Sequence, residues 1–180
     1  MNLLPELLRQ AQIAVKSRLP MMRHLVLDYP NDAKAQMCHD EFMLGDLLIA
    51  PVLHEGAAGR DVYLPDGQWY NFLTRETLDG GRTVFVAATR DEIPVFLRTP
   101  GAVALNLPES LLLGGDVGNS VERQNTPVIA VSGKASLEYA DAFGNRAILR
   151  DGEILQANLR VMDVSRLYFC LLYTSPSPRD

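Results

Sequence analysis

The chain has 180 residues, 47% of them apolar and 22% charged, with a formal net charge of −5. That suits one medium globular domain or one and a half small ones, with enough apolar side chain for a core. Acids and bases are mixed without a block of one sign, which argues against a nucleic-acid or anionic-membrane surface. No apolar run approaches the roughly 20 residues that span a bilayer, and Met1–Gln12 lacks the basic start of a secretory signal. Two cysteines, Cys38 and Cys170, make no disulfide framework, and His24, His39 and His54 lack metal-ligand spacing.

Residues 3–17 are predicted as an amphipathic helix. Leu3, Leu4, Leu7, Leu8, Ala11 and Val15 share a face, Asn2 caps the start, Pro5 sits in the first turn and Pro20 blocks continuation. The apolar run Met21–Tyr29 suits a buried parallel strand, and Ala33–Leu44 a short helix ending at Gly45. Beyond Gly45 the texture becomes β-rich. Short runs at Leu47–Leu53, Asp61–Leu64, Gln68–Leu73, Arg82–Ala87, Pro94–Arg98 and Ala102–Leu107 alternate with turns such as Pro65-Asp66-Gly67 and Asp79-Gly80-Gly81, the pattern of an antiparallel sandwich. Pro51 marks the first run as an edge or bulged strand. Glu109–Thr126 reads as a connection, after which Val128–Val131, Ser136–Ala140, Arg146–Arg150 and Glu153–Val161 read as strands, the last two joined at Asp151-Gly152.

Four ordered blocks resemble glycoside hydrolase family 31. Leu19–Asp32 follows that family's Pro-x-Met-Arg, apolar run, acid, aromatic and Pro; Phe42–Val52 its Gly…Leu-Leu-Val-Ala-Pro-Val; Arg60–Phe72 its Val-Tyr-Leu-Pro-x-Gly-x-Trp-Tyr-x-Phe; and Glu92–Arg98 its Ile-Pro-Val-Phe-x-Arg. The chain departs from the pattern in having only Asp46 between Gly45 and the Leu-Leu pair. His39 and Glu41 also stand where the family commonly has an acid and Gln. A missing residue is harmless in a loop, whereas inside a strand it would flip every side chain to the other face.

The resemblance implies a mixed fold. Residues 1–45 would be the end of a (β/α)8 barrel as helix–strand–helix, 46–107 a proximal β-sandwich, 108–126 a connection and 127–169 the start of a second β-module. A whole barrel takes about 250 residues, so most of it would lie upstream. The implied activity is that of a retaining exo-α-glycosidase of α-glucosidase or α-xylosidase type, without cofactor, acting on an oligosaccharide or α-glycoside. Such enzymes need two carboxylates about 5–5.5 Å apart. The resemblance puts both upstream, and the nucleophile's aromatic-x-Asp motif is not read here, Trp69 belonging to the β-domain block. No catalytic, substrate-binding, cofactor or metal residue is therefore assigned, and the chain alone is expected to be inactive.

The local acids and aromatics fit structural roles. Asp40-Glu41 and Asp91-Glu92 are neighbours whose side chains diverge, which suits solvated or capping positions. Asp28 reads as support at the end of the Met21–Tyr29 run. Arg23, if buried, needs a carboxylate partner, expected upstream. Trp69, Tyr70 and Phe72 fit core packing better than a sugar-stacking platform. The competing reading is a stand-alone β-sandwich carbohydrate-binding or structural module. Finally, Cys170–Asp180 resembles, residue for residue, the translation of a transposase adapter used in preparing DNA libraries. On that reading the frame runs off an insert, and residues 170–180 are an artefact.

Overall fold

The computed structural model describes residues 2–89, 91–108, 110, 112–117, 127–141, 144–158 and 168–171. Helix α1 spans Leu4–Ser17, with Pro5 in its first turn and Arg18 closing it in the left-handed region (φ 61°), its N–H on the Ala14 carbonyl. Asn2 does not cap it. The N-cap is Leu3, without a side-chain bond, and the Asn2 amide instead donates to the Asn106 and Gly115 carbonyls at 2.8 and 3.2 Å. The expected apolar face is split. Leu3 and Leu7 pack on a core, while Leu8 (50% exposed) and Val15 (82%) face solvent.

Strand β1 is Met22–His24, and Leu25–Asp28 then make one helical turn, α2, capped by His24 Nδ1 accepting the Val26 N–H at 3.1 Å. The buried parallel strand expected over Met21–Tyr29 is not formed. The partner within reach is β2 (Phe42–Leu44), which runs antiparallel, whereas parallel pairing needs a crossover and a strand running the same way. The helix expected over Ala33–Leu44 shrinks to a 3-10 turn at Ala35–Met37, with Asp32 Oδ1 accepting the Lys34 and Ala35 N–H groups. A short apolar run such as Phe42–Leu44 cannot be told strand from helix by periodicity. Gly45 (φ 59°) is not a helix terminus. It is the first central residue of the two-residue hairpin joining β2 to β3 (Leu47–Ile49), where a type II′ turn favours glycine. The shortened Gly45-Asp46 segment thus lies in a turn, and the strand register is kept.

The later strands follow the sequence closely: β4 Gly59–Leu64, β5 Gln68–Asn71, β6 Thr77–Asp79, β7 Arg82–Ala87, β8 Val95–Thr99, β9 Gly101–Asn106, β10 Pro127–Ser132, β11 Leu137–Ala140, β12 Arg146–Arg150, β13 Glu153–Asn158 and β14 Tyr168–Leu171. Of these, β6 and β14 were not expected from the sequence, and β14 takes in Cys170 and Leu171 of the segment read as adapter-derived. Asp151 and Gly152 both take positive φ (51° and 83°), as a type I′ turn requires. β3 is no edge strand, because β2 and β8 flank it and its pairing stops at Ile49, before Pro51. The strand expected to Val161 is described to Asn158. Residues 109, 111, 118–126, 159–167 and 172–180 lie outside the described residues, so most of the expected connection and of the adapter-like tail does too.

The sheets stack. The six-stranded antiparallel sheet β1-β2-β3-β8-β5-β6 lies at the centre. On one face Met43, Leu48, Trp69 and Phe96 meet Val62, Leu64 and Val86 of the β4–β7 pair. On the other, Leu47, Ile49, Val95 and Leu97 meet Val103, Leu105, Val128 and Ala130 of the β14-β10-β9 sheet. The far side of β9 and β10 (Ala102, Ala104, Ile129, Val131) packs on Leu137, Tyr139, Ala147 and Leu149 of β11-β12-β13. Strands covered on both faces read as unbroken apolar runs, which is why Leu47-Leu48-Ile49 and Ala102–Leu105 stand out in the sequence. Each fully buried Leu, Ile or Phe contributes about 1.5–3 kcal/mol.

Candidate functional site

The most developed polar cluster lies where α1 crosses β9. β9 pairs with β10 along one edge only, and the other edge would present N–H groups to nothing. Three side-chain and backbone oxygens close it: the Ala102 N–H donates to Asp46 Oδ2 (2.9 Å), the Ala104 N–H to Glu6 Oε2 (3.2 Å) and the Asn106 N–H to the Asn2 carbonyl (2.8 Å). Glu6 is fully buried, and it also accepts from Arg9 Nε and Nη2 (2.9 and 2.6 Å) and Gln10 Nε2 (2.7 Å). The helix therefore docks by a polar seam beside the Leu3 and Leu7 part of its apolar stripe.

Ion pairs brace the corners. Arg23 pairs within the chain, with Asp28 at 2.8 and 3.0 Å, and also donates to the Gly45 carbonyl. The partner expected upstream is thus Asp28, which has the supporting role foreseen for it. Asp46 binds Arg98 Nε and Nη2 at 2.8 and 2.6 Å, so the turn at Gly45-Asp46 is tied to the end of β8. Asp40 pairs with Arg60 at 2.8 Å, and Glu92 caps its own turn through the Thr89 N–H and hydroxyl. Glu41 departs from the solvated position expected of it, being buried with Oε1 on the Tyr63 N–H at 3.1 Å. Burial raises its pKa above the carboxylate range, against help from the Cys38 thiol and the Tyr63 N–H. Burial likewise pushes Cys38 up to about 12, aided by Glu41.

Nearby, Tyr63 donates its hydroxyl to Asp32 at 2.6 Å. His24, whose Nδ1 is the α2 cap, carries its neutral-form proton on Nε2, which points at His39 Nδ1 3.2 Å away. Among the described residues no group of three or more His, Cys, Asp or Glu could hold a metal. Trp69 is core, its Nε1 donating to the Pro65 carbonyl at 2.8 Å, and Tyr70 and Phe72 stack edge-on at 5.4 Å. The reading that no aromatic-x-Asp motif occurs is too strict, since Tyr139-Ala140-Asp141 fits that spacing. Its Asp141 braces a turn, accepting the Asn145 N–H and amide at 2.9 and 2.7 Å and the Tyr139 hydroxyl.

Chemically, each of these carboxylates except exposed Asp91 is spent on a backbone N–H, an arginine or an amide. The sequence missed the roles of Asn2, Glu6 and Asp46. A signal for Glu6 existed, because Glu6 and Gln10 lie four apart on the side of α1 away from Leu8 and Val15. A groove of about 350 Å³ beside the start of α1 is lined by Leu3, Leu4, Leu7, Ile49, Ile93 and Val95.

Residues 18–103 match the sequence profile of the glycosyl hydrolase family 31 C-terminal domain. The chain belongs to family 31. It is 38% identical over 122 residues to an isomaltosyltransferase of Sporosarcina globispora, covering 67% of this chain and 11% of that protein. It is 31% identical over 164 residues to α-glucosidase 2 of Bacillus thermoamyloliquefaciens, covering 88% and 20%. In structure it resembles the cycloalternan-forming enzyme of Listeria monocytogenes, solved with a pentasaccharide substrate, at a TM-score of 0.73 and 31% identity, covering 82% of this chain and 14% of that one. The family 31 chain thus spans between a tenth and a fifth of the length of these relatives.

Proposed function

We propose that this chain is the C-terminal part of a retaining exo-α-glycosidase, an α-glucosidase or α-xylosidase, acting on oligosaccharides or α-glycosides without a cofactor. Residues 1–45 would join a (β/α)8 barrel to the rest, with β1 and β2 already paired into the central sheet, 46–107 form the proximal β-sandwich, 108–126 the connection and 127–169 the start of the distal β-module. The two catalytic carboxylates would sit upstream. One attacks the anomeric carbon to give a glycosyl-enzyme, and the other protonates the leaving oxygen and then activates water.

The observation that carries this reading is the bare face of α1. Leu8 and Val15 are exposed, and so are Leu19 and Met22 just after the helix. Exposed apolar side chains gathered near one helix suit an interface, and on this reading the preceding part of the barrel is the partner. The test is to recover the DNA on both sides of this frame. An upstream frame encoding a barrel with the nucleophile motif is expected, and a stop codon with a ribosome-binding site just before Met1 would sink the reading. The purified 180-residue chain is expected to release no nitrophenol from an aryl α-glucoside above a mock preparation, whereas the full-length parent releases it.

A further inference from the structure

The outer face of the β4–β7 pair carries an aromatic ring that no core claims. Phe85 is 66% exposed, while its neighbours Val84 and Val86 turn inward. The tip of the ring lies 2.9 Å from where a Cβ on Gly59 would stand, and that same point is 2.2 Å from the Val86 carbonyl oxygen. Only glycine leaves room at position 59 for the tip of this ring, and most of the ring is open to solvent.

The surroundings of the ring are polar and complementary. Asp61 is directly opposite Phe85 in the antiparallel register, on the same face of the sheet, which places the two Cβ atoms about 5 Å apart. Asp61 is exposed, and its carboxylate has no partner among the described residues. The next pair on this face, roughly 7 Å along the strands, is Tyr63 and Thr83. There Lys34 Nζ bonds Thr83 Oγ1 at 2.5 Å and lies 4.8 Å above the Tyr63 ring. An open aromatic face is thus flanked by a free acceptor on one side and an ammonium donor at one end.

We propose that this face binds a pyranose ring of an α-glucan. A hexopyranose offers an apolar C–H face that stacks on an aromatic, with hydroxyls round its rim that each donate and accept. Asp61 accepts hydrogen bonds from sugar hydroxyls and Lys34 donates one to a hydroxyl oxygen. A lone exposed aromatic is ordinary, and covering Gly59 explains one face of this ring. It does not explain a flat outer face set between an unpaired carboxylate and an ammonium group.

The choice of α-glucans rests on the functional reading above. The test is electrophoresis of the 180-residue chain in native gels containing dextran or soluble starch, with isomaltotriose titration for affinity. The wild-type chain should be retarded. Phe85→Ala should weaken binding about tenfold or more, Asp61→Asn should weaken it, and Phe85→Trp should keep it. No retardation of the wild type, or retardation that Phe85→Ala leaves unchanged, overturns the proposal. Trp69 emission reports that each variant is folded. Failure here is separable from failure of the functional reading, because hydrolysis of an aryl α-glucoside by the full-length parent depends on upstream carboxylates and not on Phe85.

Discussion

Replacing Glu6 by Ala tests whether the polar seam holds α1 to β9. Three partners lose their acceptor: the Arg9 guanidinium, the Gln10 amide and the Ala104 N–H. Arg9 can swing its head into water and contributes little to the loss. Gln10 and Ala104 are buried, and each stranded donor costs about 1–3 kcal/mol. A loss of about 3 kcal/mol is therefore expected. With a urea slope of about 2 kcal/mol/M for a protein of this size, the midpoint falls by about 1.5 M. Two probes locate the damage. Far-UV ellipticity reads α1, the one described helix longer than a turn, and emission of the single tryptophan, Trp69, reads the core on the far side of the six-stranded sheet. In Glu6→Ala the ellipticity should be lost at lower urea than the emission signal, because α1 detaches first, and the opened β9 edge should make the variant prone to aggregate. If both midpoints stay within about 0.3 M of the parent's, the buried carboxylate is not what docks the helix.

Three further outcomes follow from the same geometry. Asp46→Ala strands the Ala102 N–H and one side of Arg98. Arg98 is 39% exposed, so water screens the ionic part and the cost should be about 2 kcal/mol by urea denaturation, with Asp46→Asn recovering part of it through the Ala102 bond. Glu41 has a raised folded-state pKa, so its acid form stabilises fully below the ordinary carboxylate range, and that contribution is lost as pH climbs through the folded value. Glu41→Gln should match the parent near pH 4 and exceed it at pH 7, and equal midpoints at both pH values would contradict this. Cys38, with its thiol pushed up to about 12 by burial and Glu41, should react with iodoacetamide at pH 8 far more slowly in the folded chain than in urea, as read by peptide mass spectrometry at that residue.

The β-rich half was legible because its strands are short, bounded by glycine turns and buried on one face or both. That is why β4, β5, β7, β8 and β9 fall within a residue or two of where Asp61–Leu64, Gln68–Leu73, Arg82–Ala87, Pro94–Arg98 and Ala102–Leu107 put them. The segment between α1 and Gly45 was not legible. Phe42-Met43-Leu44 is three apolar residues, too few for a period, and what makes them a strand is pairing with β1 and β3, a long-range fact. The pairing of Arg23 with Asp28 was hidden similarly, since five residues apart they meet only because the chain turns helically at Leu25. The polar seam lay further from reach, because nothing in the local sequence says that Ala102, Ala104 and Asn106 sit on an open edge.

The two faces of α1 bring the fold and the function together. Only part of its apolar stripe, Leu3 and Leu7, packs on the core that β9 shares. Glu6 and Asn2 satisfy the open edge of β9, Gln10 braces Glu6, and Leu8 and Val15 are left over. Each of those side chains would gain about 1.5–3 kcal/mol on full burial. On the proposed reading, the barrel takes up the gain that Leu8 and Val15 leave unused. The Glu6 seam and the apolar strip therefore make opposite demands on the same fourteen-residue helix. Removing the seam should free α1 from the sandwich even in the full-length parent, whose barrel would still hold the strip. Proteolysis of Glu6→Ala parent protein should then cut at residues 18–21, between α1 and β1, and resistance of that segment equal to the unaltered parent's would mean that the seam does not hold α1 to the sandwich.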